Sequence, residues 1–347
     1  MKNLRDWTYW FTWDPIPVGK IFNAMQARKI KNLLIVAPEE INTIFFQDRK
    51  SLDAFIKFCK KCDVEFKALT LSPTVSSNTR WFGLTRKDYF LYWECFFGHQ
   101  IVNYNIRNNI PLHKPQNIKK HFIMLNRRAR SNRCLMVDLL FHKDLFDSTF
   151  ISWHDVDNTQ LDYTFKYWTP KLMALGDEEE VGTLGALPRE FSQSFMHIVV
   201  ESTLDSICIT EKTYTPIYHL QPFIIYGHPG IHAYLESLGF KMYHSIIDYS
   251  FDNIDNDVLR CEMLTDELKK LSSQAPQNLY ADIFDIVLYN HKHLLKLIFE
   301  GATNQWLYNL FTSNSHRLSH YYLDILQNDQ KRWEEYKNMI NYKKYLT

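Results

Sequence analysis

Short apolar runs that stop at a proline or a glycine recur along this chain, with helically spaced apolar residues between them, and that rhythm restricts it to an α/β architecture. Asn32 to Ala37 is such a run closing on Pro38, as a buried parallel strand does. In the next segment, 48–61, Leu52, Phe55, Ile56 and Cys59 share one helical face. Residues 64–71 predict a second strand ahead of Pro73. The first third is therefore expected to be a small α/β domain of βαβ units. Residues 81–100 are densely aromatic, with Trp81, Tyr89, Tyr92 and Trp93 among them, and read either as core or as the wall of an acceptor pocket. Pro111 and Pro115 stand among amides in 108–117, which predicts an interdomain linker.

Beyond the linker the alternation resumes. Strands are expected at 122–125, 150–153, 197–200, 222–226 and briefly at 241–243. Helices are expected at 131–142, 210–220 and 231–238, the last stopped by Gly239. From Asp255 the pattern is helical, with apolar repeats in 279–299 and 318–326. At roughly 100–200 residues per domain, 347 residues predict two domains, 1–115 and 116–300, followed by C-terminal helices over 301–347. Two domains imply a cleft.

Charge narrows the function classes. Lys and Arg total 40 against 39 Asp and Glu, so no global field draws the chain to nucleic acid or anionic lipid, and any anion must meet a local cluster. No apolar run approaches the roughly 18 residues of a membrane span. The N-terminus, with Asp6, Trp7, Trp10, Trp13 and Asp14, does not read as a secretory signal, so the expected location is cytoplasmic. The six Cys are scattered as reduced, buried thiols would be. Cys59 and Cys62 form a lone CxxC at a helix end, where no second ligand pair or preceding strand supports zinc or redox work.

Only ten Gly occur, and GxGxxG, GxxxxGK[ST] and GxSxG are all absent, which argues against classical dinucleotide enzymes, P-loop NTPases and α/β-hydrolases. Anion binding has to run through side chains. Arg127, Arg128, Arg130 and Arg133 lie between an expected strand and an expected helix, at the carboxyl edge where α/β proteins hold ligands. A solvated basic loop is the plainer alternative. Further on, an apolar strand delivers Glu201 and Ser202, a helix start presents Thr210, Glu211 and Lys212, and a second apolar strand runs from Pro222 to Gly227. A carboxylate can accept both hydroxyls of a ribose, and a lysine beside a helix N-terminus can meet a diphosphate. Those are the needs of a nucleotide diphosphate-sugar.

At these residues the chain resembles the nucleotide-sugar-dependent glycosyltransferases of the GT-B type, most closely the donor-binding motif of the α-1,3-fucosyltransferases. That motif is an apolar strand ending in Glu-Asn-Ser, then Thr-Glu-Lys, then an apolar strand from Pro to Gly. Glu201-Ser202, Thr210-Glu211-Lys212 and Pro222 to Gly227 stand in that order. The chain departs from it at Ser202, where the family has Asn, in a slightly short distance to Pro222, and at Pro216 and His219, where the family has small residues. The N-terminal domain carries no matching motif. A glycosyltransferase is thus better supported than a fucosyltransferase, with GDP-fucose one donor among several. Leu125 to Arg128 together with Thr210 to Thr213 is also similar to glycosyltransferase-like proteins of large viruses and phages.

The resemblance implies two Rossmann-like domains facing a cleft and an inverting, metal-independent transfer from a nucleotide-sugar to a glycan or other hydroxyl. It places the donor on Arg128 or Arg133, Glu201, Thr210, Glu211 and Lys212, with no cofactor beyond the donor. Three charge-assisted contacts to the leaving diphosphate supply roughly 1.5–3 kcal/mol each before desolvation. An inverting transfer needs a base from the first domain, and Glu39 or Glu40, just past the first strand, is expected there, with Glu94 the next choice. Two alternatives remain. Asp155 and Asp157, and likewise Asp255 and Asp257, have the Asp-x-Asp spacing that holds a divalent metal against a diphosphate, with His154 adjacent to the first pair. The 9 Trp and 20 Tyr suit a non-catalytic carbohydrate- or protein-binding module on the same fold.

Overall fold

The computed structural model describes residues 7–11, 23, 25–27, 29–37, 49–70, 90–92, 96–126, 129–154, 163–176, 187–205 and 207–300. They form two compact units, one made of the described residues up to Phe96 and from Leu297, the other Phe97–Lys296. Each unit carries a four-stranded sheet whose described pairings are all parallel, so the α/β class expected from the sequence holds.

The first unit orders its strands as they occur: β1 (Trp7–Phe11), β2 (Asn32–Ala37), β3 (Glu65–Thr70) and β4 (Phe90–Tyr92). Helix α1 (Arg49–Lys61) carries the chain from β2 to β3 and buries Phe55, Ile56 and Cys59, the face its spacing predicts. Lys60 and Lys61 sit on its last turn, complementing the helix dipole. Asp63 adopts a left-handed φ of 56° and Val64 N–H returns to Cys59 O at 2.9 Å, which closes the helix and starts β3. Burial first, and then the neighbouring Cys62, push the Cys59 thiol up to about 12. A thiol in that state is protonated at neutral pH and makes a poor nucleophile or metal ligand.

The second unit begins essentially with α2 (Phe96–Arg107). The segment read above as a linker, with Pro111 and Pro115, runs inside this unit from α2 to β5 (Lys120–Asn126). Then follow α3 (Ser131–His142), β6 (Thr149–Trp153), the single turn α4 (Arg189–Ser192), β7 (Ser194–Val200), α5 (Glu211–Tyr218), β8 (Phe223–Tyr226) and α6 (Ile231–Ser237). A 3₁₀ turn at Tyr249–Asn253 leads to α7 (Asp257–Ser272) and α8 (Pro276–Glu300). The strand order is β6-β5-β7-β8. The chain thus starts mid-sheet at β5, steps to one side for β6, and crosses back to β7. The point of reversal, between the carboxyl ends of β5 and β7, is the topological switch of a doubly wound sheet.

Register decides which helix covers which face. Ile123 of β5 is level with His197 of β7, so the two share a face; Glu201, at even spacing from His197, follows the same side and reaches the start of α5. Asn126 is level with Trp153 and, by odd spacing from Ile123, points to the opposite face. There Trp153 meets Trp168 edge to face at 5.3 Å, and Trp168 N–H donates to Asp138 of α3 at 2.8 Å. Helices α3 and α5 therefore cover opposite faces of one sheet, as right-handed βαβ crossovers to either side require.

Asp138 is buried in α3 and earns its place by accepting from Tyr163 Oη, Lys166 N, Tyr167 N and Trp168 N at 2.8–3.0 Å. One carboxylate so anchors the aromatic segment that packs on Trp153. The strand expected at 241–243 is not formed. Lys241 N–H donates to Asn290 Oδ1, and Asn290 Nδ2 donates to Lys241 O, both at 2.8 Å, so an amide from α8 takes the hydrogen bonds a neighbouring strand would supply. Gly239 does end α6, with a φ of 93° and no room for a Cβ, which would lie 2.7 Å from His293 Nε2.

Three histidines are buried around α5. His219 caps its C-terminus and accepts His113 N–H at Nδ1 at 3.1 Å, His291 lies beside Tyr218, and His197 lies in β7 against Phe191. Burial lowers all three: His197 to about 3, with the Lys212 charge adding to it, His291 to about 4, and His219 well below 6.5, with His113 and His291 adding to it. The unfolded chain takes up protons below about pH 6.5 that the folded chain refuses, so stability falls as pH drops from 6.5 towards 4, by up to about 1.4 kcal/mol per pH unit for each histidine. Denaturant unfolding at pH 7.5, 6 and 5 is expected to show that decline; equal stability at all three would mean that the histidines do not stay neutral.

Candidate functional site

Strand β7 is buried along its whole length and delivers Glu201 at its carboxyl end, where the side chain is 0% exposed. A buried carboxylate is tolerated only when its lone pairs are filled and its charge is offset. Oε1 accepts Thr210 N–H at 3.0 Å and Thr213 Oγ1–H at 2.8 Å, and Oε2 accepts Thr210 Oγ1–H at 2.6 Å. Lys212 Nζ stands 3.8 Å from Oε2. Glu201 therefore fixes the first turn of α5 from inside the fold.

Thr210 is the N-cap of α5. Its hydroxyl gives its proton to Glu201 and accepts from Lys212 N–H at 3.3 Å and from Lys212 Nζ at 2.9 Å. The lysine ammonium also donates to Ser202 Oγ at 3.0 Å and to Glu211 Oε1 at 3.2 Å. All three of its protons are thus engaged, while the side chain keeps 20% of its surface open. Glu211, 23% exposed, is the acceptor that reaches solvent most readily.

The loop after β5 meets this group at the switch point. Arg130, the N-cap residue of α3, donates from Nη1 to Ser202 O, and Asn132 Nδ2 donates to Glu201 O at 2.8 Å. A guanidinium and an ammonium converge on Ser202, one on its carbonyl and one on its hydroxyl. Two segments far apart in the chain, both singled out from the sequence, are brought together here.

Of the expected donor residues, Glu201, Thr210, Glu211 and Lys212 form one hydrogen-bonded cluster, and Arg133 is buried in the first turn of the adjoining α3. Arg128 lies outside the described residues, as do Glu39, Glu40, Glu94, Asp155 and Asp157. His154 is described and is exposed, immediately after β6. In the second Asp-x-Asp triplet, Asn256 caps α7 by accepting Leu259 N–H, and Asp257 pairs with Arg260, whose guanidinium also donates to the carbonyls of Gly227, Ile254 and Asp255. Among the described residues no group of three or more His, Cys, Asp or Glu gathers in a way that could hold a metal ion, and no helix is long and apolar enough to cross a membrane.

Arg130 and Asn132 were not singled out by motif, since four arginines crowd this loop in sequence. Their position was legible in one respect: they flank the predicted start of α3 at Ser131, and residues at a βα turn face the carboxyl edge of the sheet. Compared with known protein families, curated proteins and solved structures, the chain matches none. Function therefore has to be drawn from the chemistry of this cluster.

Replacing Glu201 with Gln turns one acceptor oxygen into a donor facing donors and removes the charge opposite Lys212. Glu201→Gln is expected to lower unfolding stability by about 2–3 kcal/mol. Denaturant titration checks this, and an unchanged midpoint would mean that the buried carboxylate does not anchor α5.

Proposed function

We propose that the protein is a glycosyltransferase of the GT-B type, whose second unit binds a nucleoside diphosphate-sugar and transfers the sugar, with inversion and without a metal, to a hydroxyl of a glycan or similar acceptor. The observation that carries this is the convergence of Arg130 and Lys212 on Ser202 at the topological switch of a parallel sheet. Nucleotides bind α/β sheets in that crevice. Further support comes from the order of Glu201, Thr210-Glu211-Lys212 and Pro222 to Gly227, which is that of the fucosyltransferase-like donor motif.

The cluster distinguishes the two carboxylates. Glu201 is spent inside the fold, so Glu211 is the one assigned to the ribose hydroxyls. When Glu211 turns to the ribose, Lys212 recovers a proton for the diphosphate. In the transfer step the bond from the anomeric carbon to the diphosphate oxygen breaks and its electron pair stays on the diphosphate. Lys212 and Arg130, with Arg128 and Arg133 beside them in sequence, stabilise that charge. The acceptor oxygen bonds to the anomeric carbon and gives its proton to a base. Glu39, Glu40 and Glu94 remain the expected bases. Donor base and sugar, GDP-fucose among them, are open to direct measurement.

Isothermal titration of the full chain with GDP, UDP and CDP, each with and without EDTA, is expected to give binding to one of them that EDTA does not alter. Arg130→Ala and Lys212→Ala are each expected to weaken it about tenfold or more, the worth of one charged hydrogen bond, with circular dichroism confirming that the variants fold. No binding to any of the three nucleotides overturns the assignment.

A further inference from the structure

Among the described residues, two neighbouring side-chain donors at the carboxyl edge of the second sheet are left without an acceptor. Asn126 ends β5 at 3% exposure and Trp153 ends β6 at 1%, and neither Asn126 Nδ2 nor Trp153 Nε1 has a partner. Their backbones are fully used. Asn126 N–H donates to Ser152 Oγ at 2.9 Å, and Trp153 exchanges both main-chain hydrogen bonds with Met173 at 2.7 and 2.9 Å. Burying a donor without an acceptor is costly, and folded proteins rarely keep two such groups as neighbours. Neighbours they are: the residues are level in the ladder of β5 and β6, so both side chains leave the same face of the sheet, one strand spacing apart.

That face is the one α3 covers, and α3 begins just downstream of Asn126 with an unusual first turn. Its N-cap residue, Arg130, makes no side-chain cap hydrogen bond, Asn132 Oδ1 accepts Arg133 N–H at 3.0 Å, and the first turn holds Arg133 and no acidic residue. Helices α5 and α7 start in the ordinary way, with Thr210 and Glu211, and with Asn256 and Asp257. The positive end of a helix dipole and two arginines thus follow shortly after Asn126 in the chain, at the same carboxyl edge of the sheet as the two buried N–H donors. An atom that meets both N–H groups must accept from them, and the positive charge at this edge favours an anionic acceptor over a neutral one. A phosphoryl oxygen has both properties.

We propose that Asn126 Nδ2 and Trp153 Nε1 form a neutral subsite for a phosphoryl oxygen on the α3 face of the sheet, complementing the cationic contacts at Ser202. The identity of the ligand as a nucleotide rests on the function proposed above; the phosphate subsite itself does not. The competing occupant is a buried water, which two donors can also hold.

The test uses the full chain and titrates inorganic pyrophosphate, and in parallel GDP, UDP and CDP, into the wild type, Asn126→Asp and Trp153→Phe. Asn126→Asp keeps the shape and replaces the amide donor with an acceptor; Trp153→Phe keeps an aromatic ring against Trp168 and loses only the indole N–H and part of its volume. Pyrophosphate is expected to bind the wild type, and each variant that folds is expected to weaken it about tenfold, the measure of one lost hydrogen bond. Folding is read from near-ultraviolet circular dichroism, and should Asn126→Asp fail to fold, Trp153→Phe decides alone. Wild-type affinity in the folded variants, or no pyrophosphate binding by the wild type, overturns the subsite, whatever the nucleotides do. Variant-sensitive pyrophosphate binding with no nucleotide bound upholds the subsite and removes the glycosyltransferase assignment.

Discussion

The second unit depends on one buried negative charge. Glu201 sits at the carboxyl end of a strand buried along its whole length, and nothing about that position favours an ion except the donors assembled around it. The amide and hydroxyl of Thr210, the hydroxyl of Thr213 and the ammonium of Lys212 all belong to the start of α5, so satisfying the carboxylate and placing the helix are the same event. Asn132 adds the start of α3 through the Glu201 carbonyl. Burial makes this economical only as a set, because any member removed leaves the others desolvated and short of a bond.

The far side of the sheet edge is framed in a similar manner, but its cation, Arg260, is buried. His232 accepts Ile225 N–H at Nε2 at 3.1 Å and pairs through Nδ1 with Asp252 at 2.7 Å, while Asp252 also accepts His232 N–H at 3.0 Å. Arg260 lies over the Tyr226 ring and holds the Gly227 carbonyl. These charged groups are spent on the turn out of β8. Arg130 and Lys212, by contrast, are only partly buried where they meet Ser202, so they reach the surface of the edge while Arg260 and Asp252 are enclosed in it.

Elements whose ends carry local punctuation were legible in the sequence. Strand β2 ends at Ala37, the residue before a proline in the sequence, α3 spans the twelve residues its pattern predicts, and Gly239 closes α6 in a left-handed conformation. Elements without such marks were not. Trp7–Phe11 is aromatic at every position but Thr8, so no alternation singles out β1, and the aromatic density of 81–100 hides the start of α2 at Phe96. At 241–243 an apolar pair suggested a strand, but the hydrogen bonds come from Asn290, a long-range contact that no local pattern encodes. The site divides in the same way. Residue types and their order pointed to Glu201, Thr210, Glu211 and Lys212, whereas only the folded geometry separates the carboxylate used internally from the one left near solvent.

The placement of α3 and α5 on opposite faces has a mechanical consequence. Ser202 is gripped by Arg130 from one helical layer and by Lys212 from the other, so anything seated there bolts the two layers together through the sheet edge. Occupancy at that point would stiffen the unit as a laminate does when its plies are pinned, and amide hydrogen exchange would slow on both sides of the sheet at once.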